Sequence, residues 1–133
     1  MTINIVCVRN GPVYSAEYVE ILADMVLRNL NKTHNLKFFC FSNDDVKFSE
    51  HIHKMPIPEN LTGWFAKLYL FKDGLFPKGD RIVYIDITTV ITSGLDEIIK
   101  YNGEFATLRD FYIPSRWQPA FMMWEADTMG YVW

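Results

Sequence analysis

The chain has 133 residues, enough for one domain with a sizeable core, and 1–133 reads as a single unit. Half the residues are hydrophobic and 22% are charged, which excludes a disordered chain. Thirteen Lys and Arg stand against 16 Asp and Glu, a net charge of −3 with no basic stripe, which excludes general affinity for nucleic acid.

The first element is the β-rich run Ile3-Asn4-Ile5-Val6-Cys7-Val8, which suits a strand buried on both faces. Gly11 and Pro12 break it, and Ser15 is a candidate N-cap. Tyr18, Val19, Leu22, Met25, Val26 and Leu30 then recur at helical spacing. Residues 36–41 form a second apolar run, and the three pieces have the length of a right-handed βαβ unit. A weaker strand is expected at 52–57, and a helix at 63–73 with Thr62 before it. Residues 82–87 are the strongest strand, followed by a short helix at 95–101. Further strands are expected at 105–108 and 120–124. The alternation predicts an α/β fold, a mainly parallel sheet flanked by helices.

No apolar run approaches the roughly 20 residues of a membrane helix. Met1-Thr2-Ile3-Asn4 lacks the basic opening of a secretory signal. Cys7 and Cys40 both lie in apolar runs and read as buried free thiols of a cytoplasmic protein. His51 and His53 alternate along one strand without a third ligand nearby, so they read as structural or solvated.

Ligands of open α/β sheets bind beyond the carboxyl ends of the strands. That rule selects the loops 9–14, 42–45, 86–89 and 109–111. Asp86 is the leading candidate, because a carboxylate ending an apolar strand is costly unless it pairs, hydrogen-bonds or binds a cation. No Gly-x-Gly-x-x-Gly, P-loop or Ser-His-acid pattern competes with it.

The run Val83-Tyr84-Ile85-Asp86-Ile87-Thr88-Thr89-Val90-Ile91 resembles the Asp-x-Asp region of GT-A glycosyltransferases, with family 8 the nearest likeness. Other pieces fall in that family's order. Ile5 to Val8, the turn with Arg9 and Asn10, and then Tyr14 resemble the opening strand and the uracil-stacking tyrosine. Trp64-Phe65-Ala66-Lys67-Leu68 is similar to the helix that carries a basic residue, and Ala106 to Asp110 to the strand ending near the donor sugar. The resemblance implies a GT-A, Rossmann-like fold that binds a UDP-sugar and transfers a hexose to the hydroxyl of a carbohydrate acceptor. It implies Arg9, Asn10, Tyr14, Asp44, Lys67 and Asp86 as donor contacts and Asp110 as the catalytic residue, hydrogen-bonding hydroxyls of the donor sugar. It also implies Mn²⁺ or Mg²⁺ at Asp86 and Thr88, hard cations that prefer oxygen ligands. The chain departs from the family at Thr88, where a second Asp is expected. It is also shorter than the family's catalytic domains. The expectations are therefore a C-terminally incomplete fold with exposed apolar surface that could drive homo-oligomerisation. A non-catalytic nucleotide-sugar-binding domain is the alternative reading.

Overall fold

A computed structural model describes residues 1–133. Six strands form one sheet in the order β3-β2-β1-β4-β6-β5. They are β1 (Ile3–Val8), β2 (Leu36–Phe41), β3 (Ile52–Met55), β4 (Arg81–Ile85), β5 (Phe105–Arg109) and β6 (Trp117–Glu125). β3, β2, β1 and β4 pair in parallel, while β6 runs antiparallel to both β4 and β5. β6 is thus the one reversed strand of a mostly parallel sheet.

Both faces of the sheet are covered, as the continuous apolar runs require. Helix α1 (Ala16–Asn29) buries Val19, Leu22, Ala23, Met25 and Val26. They meet Ile3, Ile5 and Cys7 of β1, Val83 and Ile85 of β4, and Met123 of β6. The alternate residues Val6, Ile82, Tyr84, Met122 and Trp124 face the other side. There Trp124 stacks on Phe71 with ring centroids 4.4 Å apart. The period-2 alternation of β1 and β4 therefore divides one apolar run between two cores.

Ser15 occupies the N-cap position of α1 with extended backbone, but its side chain makes no cap hydrogen bond. The segment expected as an α-helix at 63–73 winds as a 3-10 helix, Gly63–Phe71. Its buried residues Ala66, Leu70 and Phe71 fix its path, so tertiary contact outweighs local propensity there. The expected helix at 95–101 is one turn, α2 (Asp96–Ile99). β6 begins earlier than expected, at Trp117, because Trp117 and Gln118 pair with Arg109 and Leu108 of β5. Cys7 and Cys40 are free, buried and opposite each other in register. Burial, reinforced by the neighbouring Cys40, pushes the Cys7 thiol well up, so it is an inert core group.

Candidate functional site

Four separate parts of the chain meet beyond the carboxyl ends of β1 and β4. β1 leads into Asn10, Val13 and Tyr14. The 3-10 helix presents Trp64, Phe65, Lys67 and Leu68. β4 supplies Tyr84 and then Asp86, Ile87 and Thr88 in the turn that follows it. Because β6 is antiparallel, its early residues Gln118 and Pro119 reach the same end of the sheet. These side chains line a cavity of about 850 Å³. Gly63, also in its lining, has φ 58°, a left-handed conformation that suits glycine and turns the chain into the 3-10 helix.

Asp86 stands one residue past β4, and its N–H donates to the Ala120 carbonyl at 2.9 Å. Its Oδ1 accepts a hydrogen bond from the Tyr84 hydroxyl and lies 3.8 Å from Nζ of Lys67. Tyr84 is buried, and burial, then the Asp86 charge, pushes its phenol well above the ordinary value. It therefore stays protonated and donates. Lys67 Nζ also lies 5.2 Å from the centre of the Tyr84 ring. Lys67, Tyr84 and Asp86 form one connected group on the cavity floor, and Asp86 and Lys67 are the only charged residues in its lining.

The other sequence-derived candidates take different places. Arg9 is buried and reaches back, its Nε donating to the Tyr14 carbonyl at 2.7 Å. Its other end pairs with the Asp44 carboxylate, and this hydrogen bond holds the Asp44 carboxyl below its usual range. Arg9 and Asp44 thus brace the loop that carries Tyr14 from outside the cavity lining. Asn10 lies in the lining and donates to the Gly63 carbonyl at 3.4 Å, tying that loop to the 3-10 helix. Tyr14 packs edge-on against Tyr18 and stays partly exposed. Asp110 is outside the lining. Its Oδ1 accepts the N–H groups of Tyr112 and Ile113, both at 2.8 Å, and so closes its own turn.

Sequence reasoning missed Gln118, Pro119 and the role of Tyr84. Gln118 and Pro119 lie 32 and 33 residues beyond Asp86, and only the antiparallel pairing of β6 brings them there. Tyr84 carried a signal: two residues before Asp86 on a strand, it shares the same side of the sheet.

The resemblance noted in the sequence implies a divalent cation, and the residues present do not fit one. Asp86 is the single carboxylate of the cavity, and its Oδ1 already faces an ammonium and a phenol. Thr88 is neutral, and no cluster of three or more His, Cys, Asp or Glu side chains is arranged to hold a metal. A second, larger cavity of about 930 Å³ lies by β5 and β6, walled by Phe105, Leu108, Trp117 and Phe121. Glu97 is its one charged residue, so the convergent polar chemistry belongs to the first cavity.

No family model and no curated protein sequence matches the chain. Among solved structures, it is similar to the apo-form of the glycosyltransferase GlyE of Streptococcus pneumoniae TIGR4. The TM-score is 0.68 at 14% identity, over 98% of this chain and 36% of that one. A second GlyE structure gives 0.64 at 13% identity, over 92% of this chain and 33% of that one. The chain spans about a third of the length of these neighbours. At such identities the likeness speaks for the fold, which is that of a glycosyltransferase-like α/β domain.

Proposed function

We propose that the chain is the nucleotide-sugar-binding portion of a glycosyltransferase of the family 8 kind, with a UDP-sugar as donor. The observation that carries this reading is the convergence of Tyr14, Lys67, Asp86 and Thr88 on one cavity at the carboxyl ends of β1 and β4. An aromatic edge, a cation and a carboxylate in a half-open cleft match the parts of such a donor. Tyr14 offers a ring to the uracil, with the Arg9 bond to its carbonyl fixing the loop. Lys67 offers positive charge to the diphosphate. Asp86 Oδ2, which takes no hydrogen bond within the chain, offers an acceptor to sugar hydroxyls. In transfer of a hexose to an acceptor hydroxyl, charge grows on the departing diphosphate, and a fixed ammonium beside it stabilises that change.

Calorimetric titration of the protein with UDP and with UDP-hexoses tests the reading. Saturable binding is expected, weakened by Tyr14→Ala, with no binding of AMP. Absence of UDP binding in every buffer would remove the donor-site assignment. The non-catalytic alternative is favoured by one observation, the neutral Thr88 beside the lone Asp86. It predicts UDP binding without release of hexose from any UDP-hexose.

A further inference from the structure

We propose that this site receives the diphosphate of its donor without a divalent cation, the Lys67 ammonium supplying the positive charge in its place. The inference rests on the donor-site reading above and adds to it which group neutralises the phosphates.

A divalent ion needs several oxygen ligands, and anionic ones hold it best. The cavity supplies one carboxylate, and one of its two oxygens is already engaged. Asp86 Oδ1 faces Lys67 Nζ at 3.8 Å and accepts the Tyr84 hydroxyl. A cation on this carboxylate would sit beside a fixed ammonium of like charge. The other two candidate carboxylates, Asp44 and Asp110, cannot add to the site as they stand. Asp44 is bound to Arg9, and Asp110 closes its own turn through two N–H bonds.

Lys67, by contrast, is built to act as the cation. Its side chain is only 22% exposed, and it lies in the lining of the cavity. It is held on one side by Asp86 and on another by the face of Tyr84. Tyr84 in turn is anchored in β4, the strand buried along its whole length. The ammonium is therefore pre-positioned, and a diphosphate entering the cleft meets a charge that needs no recruitment from solution. Asp86 acts as a positioning residue for that ammonium through its Oδ1. Thr88, at the place where a second carboxylate would repel the phosphates, offers only a hydroxyl.

The test is titration of the protein with UDP in buffer containing EDTA and again in buffer containing Mn²⁺. Equal affinity in the two buffers is expected. Lys67→Met, which keeps the apolar stem, is expected to weaken binding in EDTA by about tenfold or more, the loss of a charge-assisted contact. Lys67→Arg is expected to keep most of the affinity, and circular dichroism of both variants checks that the fold is retained. UDP binding that appears only with Mn²⁺ would overturn the inference and leave the donor site standing. Unchanged affinity in a folded Lys67→Met would overturn it as well. No UDP binding in either buffer would overturn the donor-site reading itself, and this inference with it.

Discussion

Thr88 sits two positions beyond Asp86 in the turn that leaves β4, and both line the same cavity. A hydroxyl there neither holds a divalent ion well nor repels a phosphate. Replacing it changes both properties at once. In Thr88→Asp, two carboxylates would flank the turn, and Mn²⁺ should then tighten UDP binding relative to EDTA, by calorimetry. An unchanged response would show that position 88 does not face the diphosphate. Asp86 was legible in the sequence because an acid at the end of an apolar strand demands a partner. That partner was not legible. Lys67 lies 19 residues earlier, and only the folded chain brings it to 3.8 Å.

Among the elements, α2 is a single turn, yet it ties two parts of the chain together. Asp96 at its start accepts the Asn31 N–H at 3.0 Å and pairs with the His34 ring at 2.9 Å. The Asn31 bond first, and then His34, hold the Asp96 carboxyl below its usual range. A carboxyl depressed in the folded state adds stability that is present above the unfolded pKa, about 3.9, and lost as pH falls through the lower folded value. Wild type should therefore outlast Asp96→Asn in urea near neutral pH. The gap between their midpoints should close as the pH drops below about 4. A gap independent of pH would show that Asp96 acts through shape alone. In the sequence, residues 31–35 read as a polar stretch ending a helix and 95–101 as a short helix, with nothing to link the two. Their contact is a consequence of α1 crossing the sheet, which local periodicity does not encode.

For the whole molecule, the distribution of apolar surface is uneven. The two sheet faces are covered near the centre, but Phe111 and Tyr112 are 89% exposed, and Trp64 and Trp117 also stand out from the surface. β5 is one edge of the sheet, and the second, apolar cavity lies against it. An open edge strand beside exposed aromatic rings is a surface that other chains can cover. We expect the protein to self-associate with rising concentration, measured by sedimentation velocity, and Trp117→Lys to reduce it. A single unassociated species at all concentrations would remove this expectation. No helix of the chain is long and apolar enough to cross a membrane.

The sequence by itself determined the strands and their order along the chain. Ile3–Val8, Leu36–Phe41 and Arg81–Ile85 are dense β-rich runs, and α1 has a clear helical stripe. Those local signals were sufficient for a mostly parallel α/β fold. They also placed the candidate loops at the carboxyl ends of the strands. Only the tertiary structure decided the reversed direction of β6, because strand direction depends on pairing partners and not on the pattern of the strand itself. It also decided which candidates share a cavity. Asn10, Tyr14, Lys67, Asp86 and Thr88 line it, whereas Arg9 and Asp44 form a brace outside and Asp110 caps its own turn. The sequence named charged groups, but their partners are set by distances across the fold, and those distances determine which charges remain for a ligand.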